Sequence, residues 1–206
     1  MGATTNWFLP AAVMAISALL AQPLRAETAA DGACNLEGWS VAGSDALANI
    51  HEKPDAASPV LGVLPAYVDS DDHRYGIALS IVGSHEKWLL VENARDDPNR
   101  TGLPSRPTFS GRGWISGEAV RFQVQSARGY ERPDASSNRV FDLGDNWLTD
   151  VADIRSVEGC AGDWALVSFA ADAEAVSRLK IEPQEGRAWF RRICANQETT
   201  CDGVTD

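Results

Sequence analysis

The chain has 206 residues, 44% hydrophobic and 23% charged, with 29 Asp and Glu against 18 Lys and Arg, a formal net charge of −11. That acidity repels nucleic-acid phosphates and anionic lipid headgroups and favours a neutral or basic partner; the largest basic cluster is Arg191-Arg192. The length allows one or two domains.

Residues 1–26 hold an apolar run from Trp7 to Ala21, then Leu24-Arg25-Ala26, whose small last residue suits a signal peptidase. The segment reads as a secretory signal peptide cut near Ala26, with Ala21 as second choice, and predicts a periplasmic or secreted protein. A retained membrane anchor is the competing reading. Pro10, and a run shorter than the ~20 residues of a span, speak against it. Export places Cys34, Cys160, Cys194 and Cys201 in an oxidising compartment. Four cysteines without a C-x-x-C pair there predict two disulfides.

After a polar lead at 27–33, Cys34 to Ala48 reads as an entering strand, and Pro54 to Pro59 as a turn. Val60–Leu64 is the next strand, followed by a polar stretch, Asp69–Arg74. Gly76–Gly83 and Trp88–Val91 form two more strands joined by a hairpin loop. Residues 95–110 are a polar excursion with three prolines. Gly111–Ile115 begins a last strand, and Ala119–Val124 leads into the second half. Strands at 140–143, 153–157, 164–169 and 189–193 repeat the plan, and 171–186 can hold a helical turn. Short strands between frequent turns predict an all-β protein of small barrels.

The halves also repeat in residues. HEKPDAASPVLGVL (51–64) aligns with YERPDASSNRVFDL (130–143), GSHEKWLLVENA (83–94) with GCAGDWALVSFA (159–170), and GRGWISGEAV (111–120) with GRAWFRRICA (186–195). Three blocks in one order, 75–79 residues apart, indicate a tandem duplication. Two domains are expected, 35–122 and 123–201 with a short C-terminal tail, each small enough to need staples or a firm neighbour.

A strand, a Pro-Asp turn, Val-Leu-Gly-Val-Leu, Gly-x-x-x-x-Trp-x-x-Val (83–91) and Gly-Arg-Gly-Trp-Ile (111–115) resemble the bacterial SH3-like domain family. The second copy resembles it less, with Ala127-Arg128-Gly129-Tyr130 before its turn. The resemblance implies two tandem SH3-like small β-barrels after the signal peptide. It further implies a non-catalytic binding protein that recognises a cell-wall peptide or a periplasmic protein. The alternative is a periplasmic inhibitor or immunity protein that blocks a partner enzyme through 95–110 or 171–186. Candidate ligand-binding residues are Trp114 and Trp189, together with Tyr67, Tyr75, His85, Tyr130 and Trp147 at expected loops or strand edges. Core packing is the favoured reading of Trp88, Trp164, Trp114 and Trp189, with partial exposure for the last two. No cofactor or metal is expected. Asp69, Asp71, Asp72 and His73 lack the spacing of a calcium loop, and with His51, His73 and His85 as the only histidines no catalytic motif is present. In the barrel plan the first strand pairs with the last, which brings Cys34 towards the second barrel. The expected disulfides are Cys34–Cys160, bridging the domains, and Cys194–Cys201; Cys160–Cys194 with Cys34–Cys201 is the competing pairing.

Overall fold

The computed structural model describes residues 1–2, 31–43, 48–70, 73–179 and 185–198. Apart from Met1 and Gly2, the expected signal peptide lies outside the described residues, as do Asp71, Asp72 and Cys201. The first half contains β1 (Gly32–Ser40), β2 (Ala48–His51), β3 (Val60–Leu64), β4 (Val68–Ser70), β5 (His73–Tyr75), β6 (Ala78–His85) and β7 (Trp88–Arg95). The helical turn α1 (Pro98–Thr101), β8 (Gly113–Ser116), a 3-10 turn (Gly117–Ala119) and β9 (Val120–Arg121) complete it. The second half runs β10 (Gln123–Val124), β11 (Arg128–Tyr130), β12 (Arg139–Asp142), α2 (Leu148–Val151), β13 (Ala152–Ala161) and β14 (Trp164–Ala171). It ends with α3 (Ala173–Leu179), β15 (Glu185–Phe190) and β16 (Ile193–Cys194). The described residues are mostly β-strand with three short helices and a 3-10 turn, and no helix among them is long and apolar enough to cross a membrane.

Two sheets carry the fold. The first has seven strands in the order β3-β2-β8-β7-β6-β1-β9, the second five in the order β12-β11-β15-β14-β13. Strands β10 and β16 pair separately, as do β4 and β5. The pairings that bear on the site are antiparallel, and the β6–β7 and β13–β14 hairpins turn through two residues, Glu86-Lys87 and Gly162-Asp163. Such tight turns require a positive φ, taken by Gly162 at 60° and by Glu86 at 49°. Along β6 the burial alternates, with Leu79 and Ile81 fully inside, so one face of the strand meets the core.

The duplication extends to individual hydrogen bonds. In the first copy Ser58 Oγ accepts from Lys53 N–H at 3.1 Å and donates to the Lys53 carbonyl at 3.1 Å; in the second, Ser137 does the same with Arg132 at 3.3 and 3.2 Å. Asp55 Oδ1 caps Ala57 N–H at 2.9 Å, and Asp134 Oδ1 caps Ser136 N–H at 2.8 Å. These Asx turns fix the loop between β2 and β3 and its partner between β11 and β12. Ser137 is buried, so Ser137→Ala leaves the Arg132 N–H without its partner. It is expected to cost about 1 kcal/mol in urea unfolding. Ser58→Ala, in a more open loop, should cost less.

The halves are fused rather than strung on a linker. Phe122 alone separates β9 from β10, at the expected boundary, and it is buried. Strand β13 packs against β1, β6, β7 and β9 of the first half, and the buried residues of both halves form one connected core. The 3-10 turn sits so close to β13 that a Cβ on Gly117 would collide with the Val157 carbonyl oxygen. Ser84 Oγ accepts from Cys160 N–H at 3.0 Å and donates to the Cys160 carbonyl at 3.4 Å. Glu158, with 9% of its side chain exposed, is held by Lys87 at 3.4 Å from the first half and Arg187 at 2.7 Å from the second. A disulfide joins Cys34 to Cys160, the expected bridge between halves. Cys194 is also disulfide-bonded; its expected partner, Cys201, lies outside the described residues.

Two local expectations need correction. The entering strand begins at Gly32, before Cys34, because Ser84 and Gly162 offer backbone groups on either side of it. Of the polar stretch, Asp69-Ser70 and His73-Arg74 belong to the β4–β5 pair, where Asp69 meets Arg74 at 3.3 Å.

Candidate functional site

The hairpin tips and the strand ends beside them collect the aromatic rings. In the first copy β2 ends on His51, in register with Trp114 of β8, and Trp88 opens β7 at the tip. The His51 and Trp88 rings meet edge to face, 5.3 Å between centroids at 75°. His51 Nδ1 lies 3.1 Å from the Ser58 carbonyl, which can only accept. Nδ1 therefore carries the proton, and a neutral ring leaves Nε2 as the acceptor. His85 adds a fourth ring, 6.4 Å from Trp114, with Nδ1 at 3.0 Å from Asp31.

The second copy rebuilds the pair with Tyr130 in place of His51. Tyr130 is in register with Trp189, and its ring meets Trp164 edge to face, again 5.3 Å apart, at 89°. Here arginines cover the aromatic faces: Arg139 lies 5.8 Å from the Tyr130 ring and Arg191 lies 5.9 Å from the Trp164 ring. No such cation is recorded over the His51–Trp88 pair among the described residues.

Burial departs from expectation at Trp88 and Trp164. Trp88 and Trp164, read from sequence as core, are half-buried, as is Trp189. Trp114 is 0% exposed, and its indole Nε1 has no hydrogen-bond partner among the described residues. It supports the first patch from beneath instead of meeting a ligand. Trp88 and Trp164 each open a strand beside a two-residue turn, whereas Trp114 lies inside β8 between β2 and β7.

The other candidates scatter. His85 joins the first patch, and Tyr130 and Trp189 the second. Tyr67 is half-buried beneath the Arg74 guanidinium, at 4.9 Å, and Trp147 is half-buried at the start of α2. Tyr75 is buried and its hydroxyl donates to Glu198 at 3.0 Å, while Gly76 N–H donates to Gln197 Oε1 at 2.7 Å; together they dock the C-terminal tail. Sequence reasoning left His51, Trp88 and Trp164 out of the candidate binding residues. The signal was present in the repeat, which places His51 opposite Tyr130 and so puts a ring before both Pro-Asp turns.

A second concave region, a cavity of ≈ 300 Å³, lies between Tyr75, Asp96, Arg100, Arg106 and the tail. Its wall is the ion pair of Arg106 with Asp96. Burial pushes the Asp96 carboxyl up, but the hydrogen bonds and charge of Arg106 outweigh this and hold it below the usual carboxylate range. Among the described residues no group of His, Cys, Asp and Glu is placed to hold a metal ion. Comparison with protein-family models, curated proteins and solved structures finds no match to this chain.

Proposed function

We propose that this is an exported, non-catalytic binding protein built of two tandem SH3-like barrels, which recognises a cell-wall peptide or a periplasmic protein. The repeated ring pair carries this reading: His51–Trp88 and Tyr130–Trp164 share a 5.3 Å spacing, and each leaves its tryptophan partly open to solvent. Core packing alone does not call for an exposed indole at the same hairpin tip in both copies. The order of strands in each half, with a 3-10 turn before the last strand of the first, suits such barrels. The disulfide suits an oxidising compartment.

Sedimentation with isolated peptidoglycan tests the wall-binding form. The full protein is expected to co-sediment, and Trp88→Leu combined with Trp164→Leu is expected to weaken this at least about 10-fold, the effect of removing central aromatic anchors. The unfolding midpoint should change little, because both side chains are half exposed. A protein that never sediments with the wall favours the inhibitor reading. One observation supports that alternative: Arg106 braces the 95–110 excursion by bonding Asp96, Ala66 and Tyr75, so the loop is ordered before any partner arrives.

A further inference from the structure

Gly76 lies between β5 and β6 and lines the cavity beside the 95–110 excursion. Its N–H donates to Gln197 Oε1 at 2.7 Å, and its carbonyl accepts from Gln197 Nε2 at 3.4 Å. The glutamine amide thus offers an acceptor and a donor side by side. One residue of a neighbouring strand offers the same two groups in a hydrogen-bonded antiparallel pair. Beside it, Glu198 Oε1 accepts from the Tyr75 hydroxyl at 3.0 Å and lies 3.5 Å from Arg100 Nη1. The tail therefore presents an amide and a carboxylate, on consecutive residues, to one receptor.

The receptor is held in place by contacts that do not involve the tail. Arg106 bonds the Tyr75 carbonyl at 3.1 Å and pairs with Asp96, while Asp97 Oδ2 holds Arg100 Nε at 3.1 Å at the head of α1. Arg95 reaches Glu37 at 3.5 Å, which leaves Arg100 as the guanidinium that meets the tail. With Gln197 as part of its wall the cavity still measures ≈ 300 Å³, within the range of ligand pockets. The tail's own grip is loose. Arg100 and Glu198 each keep 37% of the side chain exposed, and so open an ion pair contributes little.

We propose that this cavity is a docking site for an acidic extended peptide, and that residues 195–198 occupy it as an internal substitute which the peptide displaces. Gly76 then pairs with the main chain of the peptide, and the Tyr75 hydroxyl and Arg100 take its carboxylate. The site shares no residue with the ring pairs, so it stands or falls apart from them. Tail and peptide compete for one place, and the apparent affinity of the peptide is reduced in proportion to the fraction of molecules with the site open. The tail has the advantage of its tether. Strand β16, paired with β10, ends at Cys194, four residues before Glu198, and so short a tether gives an effective concentration on the order of millimolar.

Fluorescence anisotropy of a labelled Ala-Asn-Gln-Glu peptide with blocked ends, the sequence of 195–198, tests this on the full disulfide-bonded protein. Gln197→Ala combined with Glu198→Ala removes the internal substitute. That variant is expected to bind the peptide at least about 10-fold more tightly than the wild type, the gain for a tail docked about nine-tenths of the time, with an unchanged unfolding midpoint. Adding Arg100→Glu sets a like charge against the peptide carboxylate and is expected to cancel the gain. Glu198→Gln alone, with the same direction of change, serves if the double variant disturbs folding. Peptide binding that is equal in the wild type and the tail variant, absent from both, or undiminished by Arg100→Glu overturns the proposal.

Discussion

Removing the Cys34–Cys160 bridge is expected to lower the unfolding free energy by roughly 4–5 kcal/mol. The bonded residues are 126 positions apart, so the bridge closes most of the described chain into one loop and removes much freedom from the unfolded state. The native junction should survive its loss, because other contacts hold the same place. Asn35 N–H donates to the Gly162 carbonyl and Gly162 N–H to the Ala33 carbonyl, each at 2.8 Å, and Ser84 and Lys87 hold β13 through Cys160 and Glu158. The double variant Cys34→Ser, Cys160→Ser should therefore keep the wild-type circular dichroism spectrum while its urea midpoint falls sharply. A change below about 1 kcal/mol would mean that the unfolded chain is already confined without the bridge.

What the sequence made legible follows from what repeats. The two copies align without gaps through the Pro-Asp turn, and the structure gives Ser58 and Ser137 the same bonds. The Cys34–Cys160 pairing could be reasoned because it needs only the placement of the first strand beside the second half. Burial of individual tryptophans could not. Trp88 and Trp114 both alternate with apolar neighbours and both pair with a strand on either side, so neither the pattern nor the pairing separates the half-buried ring from the buried one. The start of β1 was hidden for a related reason: Gly32-Ala33-Cys34 has weak strand preference and becomes a strand through backbone partners on both sides. Arg106 and Asp96 stand ten positions apart in a stretch without periodicity, so no pattern pointed to their pairing.

Arg106→Ala is expected to cost about 3–5 kcal/mol, the toll of leaving one member of a buried ion pair alone. Asp96 has 1% of its side chain exposed and Arg106 13%, so the pair is largely withdrawn from water while it stands. The guanidinium does more than neutralise. Nε donates to Asp96 Oδ1 at 3.0 Å, and Nη1 donates to the Ala66 and Tyr75 carbonyls at 2.8 and 3.1 Å, while the Arg106 N–H reaches Asp96 Oδ2 at 2.7 Å. The substitution thus frees two carbonyls and strands a carboxylate at once. The pH dependence separates this cause from a packing defect. In the wild type Asp96 is held below its unfolded value of about 3.9, so its contribution is complete above that pH and is lost as pH falls through the lower folded value. Without the guanidinium, burial pushes the Asp96 carboxyl up against only the backbone hydrogen bonds from residues 97 and 106, so its ionised form is less well held at neutral pH. The deficit of Arg106→Ala should be largest near pH 7 and narrow as pH falls through the carboxylate range. Combining Asp96→Asn with Arg106→Ala should cost less than the two single losses added, since the pair acts as a unit. A deficit that is constant from pH 7 to about pH 3 would place the loss in packing and not in the stranded charge.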